Sequence, residues 1–408
     1  MRRALLKSLL LIGLLQAVSI TPAAAAPHLD QPAGEPPIVY LEGASYDLGY
    51  QHGTLLAQDV RASVRDTLRY FRRQLRVPVL GPWFVNRWLD WAYAQMRPYI
   101  PLGYQEEMRG LADGSGVPLR DIHRLHAIPD LTGTSCSSLV VFGRAAKDGR
   151  LYHTRNLDWN IGAGIQAHAV LFVVRPQHGV PFLNIGYAGF IGALSGINAH
   201  AISIGEIGAD TVDETLAGEP MPFLLREVLE SSIDLETASR LVFNAKRTRG
   251  YNYLIADGIA RDATALETTH HACVIFRPGD AKERQCPYAL PLEDALARAD
   301  TALDAGVREM QRASRGRPGR RPPASPVGSG AYEKRYKGQV TRIQRAYGRL
   351  DDALVREIAQ SVAASSNVQS VVYGYPDVWI ANADGRTPAA QRPYRRYHVE
   401  ELLGPPTR

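Results

Sequence analysis

Cysteine is scarce in this sequence, with 3 residues among 408. They are Cys136, Cys273 and Cys286, and the absence of a Cys-x-x-Cys pair argues against a redox protein that works through its thiols. In an oxidising compartment, an odd count leaves one thiol free or bonded to another chain. Cys273 and Cys286 are close enough in sequence to close a small loop with a disulfide. Cys136 is then the thiol left over.

Long apolar runs are also missing after the first 26 residues, so no integral membrane segment is expected in the mature protein. The beginning of the chain has the layout of a signal peptide: basic residues at 2, 3 and 7, an apolar run over 9–18 and small residues over 23–26. The alternative is an uncleaved anchor. We predict that residues 1–26 are a signal peptide and that the protein is periplasmic or secreted.

The formal net charge is only +6, and the basic residues are scattered rather than gathered in a stripe. No nucleic-acid partner is therefore predicted. The histidines invite metal or base roles at His52 and at the pair His270 and His271. They lack carboxylate or cysteine partners at ligand spacing, which favours structural roles. We assign no metal and no cofactor.

The order of the patterns predicts a mixed, layered domain of the α+β class. Apolar positions recur at helical spacing over residues 56–114, and strand-like segments begin after Cys136. The predicted strands and helices beyond that point are 137–142, 151–156, 169–174, 181–185, 191–197, 201–206, two helices at 221–232 and 235–245, and then strands at 252–256, 264–267, 370–373 and 378–381. Residues 312–330, rich in Arg, Gly, Pro and Ser, read as a surface loop.

Chemistry is concentrated around Cys136 at the start of one predicted strand, and around Arg155 and Asp158 on the next. Taken alone, such a cysteine is usually a small apolar filler. Two charges three residues apart in a strand-like segment change this interpretation, because buried charges are costly unless they are paired. A thiol and a free amine would supply partners for them. The alternative is a structural ion pair between Arg155 and Asp158.

In the segments around Cys136, Arg155 and Asp158, the chain resembles the N-terminal-nucleophile amidases. It is most similar to the acyl-coenzyme A:6-aminopenicillanic acid acyltransferase family, and more distantly to bile-salt hydrolases, penicillin V acylases and acid ceramidase. The resemblance extends over about residues 38–270, and four further segments agree in order and spacing: 43–53, 107–114, 189–198 and 252–257.

This resemblance implies a four-layer αββα sandwich, with a mostly helical amino-terminal piece over 27–135 and a catalytic domain over 136–408. Self-cleavage of the Ser135–Cys136 bond would free the Cys136 α-amine to act as base for its own thiol. The resemblance further implies that Asp158 holds this amine and that Arg155 lies beside the thiolate. It also implies that Asn198 helps to form the oxyanion hole.

Other positions leave alternatives open. Asn198 could merely be a residue of the turn between Gly196 and His200. Asn252 is a minor candidate that could equally be a turn residue. Arg335 could match a later arginine of the family. A Thr-Asn-His segment of the family is missing after Glu267, and residues 286–330 depart from the family pattern.

The expected activity is hydrolysis, or transfer, of the acyl group of a small linear amide such as a fatty-acyl amide or an N-acyl amino acid. The alternative is a non-catalytic extracytoplasmic binding protein that keeps the scaffold without processing.

Overall fold

The computed structural model describes residues 27–74, 81–132, 135–315 and 331–405. The predicted signal peptide and residues 316–330 of the predicted surface loop lie outside these ranges. Residues 312–315 of that loop are the last turn of a helix rather than a loop.

Fifteen strands are present in the described ranges. In chain order they are β1 His28–Asp30, β2 Ile38–Gly43, β3 Ser135–Val141, β4 Tyr152–Asp158, β5 Ala169–Pro176, β6 Phe182–Tyr187, β7 Ser195–Asn198, β8 Ile202–Gly208, β9 Tyr251–Asp257, β10 Asp262–Thr268, β11 Cys273–Phe276, β12 Ala295–Arg298, β13 Asn367–Gly374, β14 Asp377–Asn382 and β15 Arg395–His398.

The α-helices of the same ranges fall into three groups. They are α1 Ser45–Leu55, α2 Ala57–Gln74, α3 Gly81–Met96, α4 Leu102–Ser115 and α5 Leu119–Leu131; then α6 Met221–Ser231 and α7 Leu235–Asn244; and finally α8 Ala305–Arg315, α9 Ala331–Ala346, α10 Asp352–Val362 and α11 Val399–Leu403. No helix among the described residues combines the length and apolarity needed to cross a bilayer.

The strands form two sheets that pack face to face. One has nine strands in the order β1-β2-β5-β6-β7-β8-β9-β10-β11, and the other has six in the order β12-β3-β4-β13-β14-β15. Strands β3 and β4 of the smaller sheet pack on β8 of the larger one. Close approach depends on Gly205, where a Cβ atom would lie 2.8 Å from the Ser138 hydroxyl oxygen. The side chains that meet between the sheets form a buried apolar layer around Cys136.

Helices cover both outer faces. The amino-terminal helices together with α6 and α7 pack on the larger sheet, while α9 and α10 pack on the smaller one. The layer order is therefore helix, sheet, sheet, helix, and the predicted αββα sandwich is confirmed.

The amino-terminal piece is built into the sandwich rather than attached to its surface. Its strand β2 pairs in parallel with β5, in the register Ile38↔Leu171 to Gly43↔Pro176. Helix α1 packs closely on α4 because both carry glycines at the contact, and a Cβ on Gly49 would lie 1.9 Å from the Glu107 carbonyl oxygen. Cleavage before Cys136 would therefore leave two chains that share one sheet.

One predicted strand is shorter than expected. The segment 191–197 contributes only its end to β7, Ser195–Asn198. The residues before it form a turn that lies against the start of α6. A Cβ on Gly192 would approach Pro222 Cβ to 2.6 Å, so this glycine permits the contact. The Leu194 carbonyl oxygen in this turn accepts a hydrogen bond from Arg155 Nε at 3.3 Å.

Candidate active site

Cys136 is the second residue of β3, and its side chain is fully buried between the two sheets. Its register partner in β4 is Leu157, and because side chains alternate along a strand, Arg155 lies on the same face as Leu157 and Asp158 on the other. The structure therefore brings Cys136, Arg155 and Asp158 together, but on different sides of the cysteine.

The thiol side of Cys136 is occupied by Arg155, whose guanidinium hydrogen-bonds with the thiol. Its Nη2 donates to Glu206 Oε2 at 2.7 Å, and its Nε donates to the Leu194 carbonyl oxygen at 3.3 Å. Burial raises the pKa of the Cys136 thiol to about 12, and the guanidinium acts in the opposite direction. In the uncleaved chain the thiol is therefore neutral at ordinary pH.

The nitrogen side of Cys136 faces a different group of charges. Its backbone N–H donates to Asp300 Oδ1 at 2.8 Å. Arg335 donates from Nη1 to the Ser135 hydroxyl at 3.3 Å and to Asp300 Oδ2 at 3.5 Å, and from Nη2 to Asp158. The predicted cleavage position thus lies inside a cluster of two carboxylates and one guanidinium.

In the uncleaved chain Asp158 is held by two other side chains, so its predicted role toward the α-amine stays a prediction. Its Oδ2 receives Arg335, and its Oδ1 receives Asn367 Nδ2 at 3.0 Å. The carboxylate that accepts the Cys136 N–H in this chain is Asp300, not Asp158. Arg155 pairs with Glu206 and Asp158 with Arg335, so the two do not form the alternative structural ion pair with each other.

Arg335, a minor candidate from the sequence, lies at the site. It sits on α9, and its Nε donates to the Val362 carbonyl oxygen at 2.8 Å at the end of α10. The two helices that cover the smaller sheet therefore aim this guanidinium at the Ser135–Cys136 bond.

Asn198 has a structural role in this geometry. Its Nδ2 donates to the carbonyl oxygens of Leu229 and Ser232 at 3.0 and 2.7 Å, and its Oδ1 accepts two backbone N–H groups of the turn before β8. Both amide hydrogens are used, so none remains to stabilise an oxyanion. The oxyanion role that the resemblance implied for Asn198 has no support here.

Asn252 is also an anchor rather than a turn residue. It lies within β9, and its Nδ2 donates to the Ala299 carbonyl oxygen at 3.0 Å. Ala299 immediately precedes Asp300, so Asn252 helps to fix the backbone that carries this carboxylate.

The predicted disulfide is not formed, since Cys136, Cys273 and Cys286 are all free thiols. Cys286 is buried in the apolar cluster under α9, whereas Cys273 begins β11 and packs against the cluster on the other side of the larger sheet. Short separation in sequence did not bring the two side chains together because the chain crosses between clusters after β11.

The histidines have structural partners. His52 Nε2 accepts the Gly189 N–H, and His126 Nε2 accepts the Ile191 N–H, each at 3.0 Å. Burial lowers the pKa of His52 to about 3 and that of His126 to about 4, so both rings are neutral acceptors. The two histidines belong to the amino-terminal piece, and the loop they bind follows β6, beyond Cys136. His270 hydrogen-bonds to the Arg247 carbonyl oxygen at the end of the β9–β10 hairpin.

A small apolar cavity lies near the thiol side of Cys136. Leu157 is the strand partner of Cys136, and Tyr187 is close enough to interact electrostatically with the thiol and with Arg155. The cavity is lined by Ile128, Pro129, Leu157, Trp159, Ile165, Gly186, Tyr187, Phe190, Gly192, Leu194, Met221, Pro222 and Val368. Both pieces of the chain contribute to this wall.

Sequence reasoning missed three residues of the site: Glu206, Tyr187 and Asp300. The Tyr187 hydroxyl is buried without a hydrogen-bond partner among the described residues, at the cavity wall. Glu206 lies within β8, whose residues are all buried, and an acidic residue in such a strand was a usable signal of a buried partner. Asp300 follows β12 in a segment without a local motif.

Comparisons with known proteins find distant relatives. No family model matches the chain. Protein dcd1B of Dictyostelium discoideum is 26% identical over 257 residues, covering 59% of this chain and 51% of that protein. Acid ceramidase of Rattus norvegicus is 28% identical over 178 residues, covering 36% and 43%. N-acylethanolamine-hydrolyzing acid amidase of Caenorhabditis elegans is 24% identical over 192 residues, covering 42% and 52%.

The chain spans about half the length of the curated relatives it matches. Among solved structures, the Caenorhabditis elegans ortholog of N-acylethanolamine-hydrolyzing acid amidase matches with a TM-score of 0.42 and 14% identity over 59% of this chain and 92% of that one. A variant of conjugated bile acid hydrolase from Clostridium perfringens matches with a TM-score of 0.42 and 12% identity over 66% and 95%. The penicillin acyltransferase family is not singled out, so that finer resemblance stays a prediction. The sequence relatives confirm the broader one: this chain resembles the N-terminal-nucleophile cysteine hydrolases.

Proposed function

We propose that this chain is an exported, self-processing cysteine amidase that hydrolyses a linear N-acyl amide through a thioester on Cys136. The observation that carries the proposal is the setting of Cys136. Its buried thiol contacts a guanidinium, its nitrogen contacts a carboxylate, and its strand partner Leu157 lines an apolar cavity. A core cysteine that only fills space needs none of these partners.

Self-processing supplies the missing base. In the uncleaved chain the Cys136 nitrogen is an amide and cannot accept a proton, and the thiol beside it is neutral. After cleavage the α-amine has an ordinary pKa of about 8 and adjoins its own thiol, so it can take the thiol proton. Arg155 then faces a thiolate, which its charge stabilises.

A fatty-acyl amide is the substrate class that the cavity favours. Its wall is almost wholly apolar, with Leu157, Phe190 and Met221 among the residues that would contact an alkyl chain. The named activities of two relatives, acid ceramidase and an N-acylethanolamine-hydrolyzing acid amidase, support an acyl amide. We propose that the main reaction is hydrolysis of the amide rather than transfer of its acyl group.

Export is the second part of the proposal. The basic start, the apolar run over 9–18 and the small residues over 23–26 support a signal peptide that is removed after residue 26 or nearby. Sequencing of the amino terminus of the mature protein tests this part, because an intact residue 1 would contradict it.

The activity is tested by turnover of a panel of fatty-acyl amides and N-acyl amino acids of increasing chain length. We expect kcat/KM to rise with acyl length, by up to ~4-fold per methylene, because each buried CH₂ contributes about 0.8 kcal/mol. Leu157→Ser, on the cavity wall, should flatten this rise. Leu290→Ser, at an exposed leucine away from the cavity, is the control. A folded protein that binds such amides but never turns them over would support the non-catalytic binding protein instead.

A further inference from the structure

Asp300 touches both residues of the bond that we propose is cut. Its Oδ1 accepts the Cys136 N–H at 2.8 Å, and its side chain also hydrogen-bonds with Ser135. It is almost fully buried, as is the nitrogen it contacts. A carboxylate at this position is costly to bury, so its presence needs a chemical reason.

The loop that carries Asp300 is fixed on both sides. Before it, Asn252 Nδ2 binds the Ala299 carbonyl oxygen at 3.0 Å. After it, Glu267 accepts the backbone N–H groups of Leu303 and Asp304 at 2.9 and 2.7 Å. Glu267 is in turn paired with Arg298 at 2.7 Å, with both side chains fully buried. Several strands thus hold the loop, and the carboxylate is set in place before any reaction occurs.

The oxygens of Asp158 receive Arg335 and Asn367. Arg335 also contacts Asp300, at 3.5 Å, so the guanidinium joins the two carboxylates. Of these two carboxylates, the one with the direct hydrogen bond to nitrogen is Asp300.

We infer that Asp300 is the positioning residue for the Cys136 nitrogen, first as the amide of the scissile bond and then as the α-amine of the processed enzyme. The inference rests on the proposed self-processing and deepens it. It transfers to Asp300 the amine-holding role that the resemblance implied for Asp158.

In the cleavage step, Cys136 Sγ bonds to the carbonyl carbon of Ser135, and the bond from that carbon to the Cys136 nitrogen breaks. The thiol proton passes to the nitrogen, which already carries one hydrogen, and the product is a neutral amine and a thioester. Water then adds to the thioester and restores the thiol, leaving a carboxyl group on Ser135. Throughout, the nitrogen keeps a hydrogen to donate to Asp300, so the hydrogen bond survives the change from amide to amine.

A carboxylate beside the amine has a measurable consequence. It favours the protonated form, so the pKa of the Cys136 α-ammonium should depend on the charge of Asp300. Neutralising Asp300 should lower this pKa by about one unit, which is a tenfold change in acid dissociation. A residue that only supported the fold would leave the pKa of the cleaved enzyme unchanged.

The experiment compares the full-length wild type with Asp300→Asn, Asp158→Asn and Asp304→Asn. Asp304 is the matched control, since it lies in the same loop but caps α8 by accepting the Val307 N–H at 2.9 Å, which asparagine can also do. Intact mass follows the rate of cleavage, and the ¹³Cα resonance of Cys136 in cysteine-labelled protein follows its amine through a pH titration. A crystal structure of cleaved wild type locates the amine without any variant.

We expect Asp300→Asn to slow cleavage by at least ~10-fold and to lower the α-ammonium pKa of the fraction that is cleaved. A variant that folds but is never cleaved would equally support the inference. Asp304→Asn should behave as wild type. In the wild-type crystal structure the amine should lie within hydrogen-bond distance of Asp300 Oδ1. Cleavage and titration unchanged in Asp300→Asn, or an amine bound to Asp158 and not to Asp300, would overturn this inference alone. A wild-type chain that stays intact would overturn the proposed processing together with it.

Discussion

The two sides of Cys136 differ in how they handle charge. On the thiol side, Arg155 and Glu206 form a fully buried pair 2.7 Å apart. On the nitrogen side, Arg335 is shared between Asp158 and Asp300, and the Ser135 residue beside them is only partly buried. The first arrangement holds one guanidinium against a thiol, and the second holds carboxylates where an ammonium would form. One cysteine therefore contacts two separate sets of residues, one at its sulfur and one at its nitrogen.

The largest effect is expected when the sulfur of Cys136 is removed. Cys136→Ala should abolish both cleavage and amide hydrolysis, because no other group in the thiol-side cluster can form the acyl intermediate. Intact mass and substrate turnover measure the two losses, with circular dichroism to confirm folding. Cys286→Ala is the matched control, because it also removes a buried thiol but lies in the cluster under α9. Wild-type turnover in folded Cys136→Ala would contradict the role of the thiol.

The charge on the thiol side can be tested through stability. In the uncleaved Cys136→Ala background, Arg155→Met should reduce the free energy of unfolding by about 3–5 kcal/mol, because it leaves the Glu206 carboxylate buried without this partner. Adding Glu206→Gln should restore part of the loss, since the isolated charge is then gone. Urea unfolding of the three variants measures the coupling. Equal losses in the single and double variants would show that the two residues do not act as a pair.

A variant of Asn198 distinguishes a structural role of this residue from a catalytic one. Asn198→Ala should lower the free energy of unfolding by about 2–3 kcal/mol, because two buried carbonyl oxygens and two N–H groups lose their partner. In the folded, cleaved enzyme kcat should change little. An oxyanion donor would behave in the opposite way, with kcat reduced by about 100-fold or more. Steady-state kinetics below the unfolding temperature decides between the two.

The contact between the two pieces should weaken in acid. His126 is neutral in the folded protein with a pKa of about 4, whereas its unfolded pKa is about 6.5. As pH falls below 6.5, the unfolded state binds the proton first, so this contribution to stability declines until pH 4 is reached. At pH 5 the loss is on the order of 2 kcal/mol.

The variant His126→Gln retains an acceptor for the Ile191 N–H without the titration. Its free energy of unfolding should therefore fall less than that of the wild type between pH 7 and pH 5. If the variant loses as much stability as the wild type between pH 7 and pH 5, titration of His126 does not cause the loss. His52 has the same relation to Gly189, and His52→Gln should repeat the effect.

The smallest effect is expected at the remaining cysteines. Because Cys273 and Cys286 are free, Cys273→Ser should alter stability by less than about 1 kcal/mol, far below the loss for breaking a disulfide. Mass spectrometry after alkylation without reductant should show three unpaired thiols in denatured protein. A bond between Cys273 and Cys286 would contradict the structure.

The sequence predicted those parts of the site that lie in local motifs. Cys136, Arg155 and Asp158 are close in the chain and are carried by paired strands, so their assembly followed from one hairpin. Glu206, Tyr187 and Asp300 come from distant elements, and only tertiary packing brings them to the cysteine. The role of Asn198 was wrongly expected for the same reason. Its motif is visible in the sequence, but its amide group donates to carbonyl oxygens at the end of α6, which lies further along the chain. The layers of the fold were predictable because helical and strand spacing alternate in blocks. The short strands β1, β11, β12 and β15 were not, since three or four residues carry little periodicity.

The central claim is that Cys136 is both the amino terminus of a new chain and the site of acylation. The direct test is denaturing mass spectrometry of mature wild-type protein, before and during turnover of a fatty-acyl amide, with an acid quench. The account predicts two chains, one ending at Ser135 and one beginning at Cys136, and an acyl group added to the second that hydroxylamine removes. A single intact chain that hydrolyses the amide at full rate would contradict it.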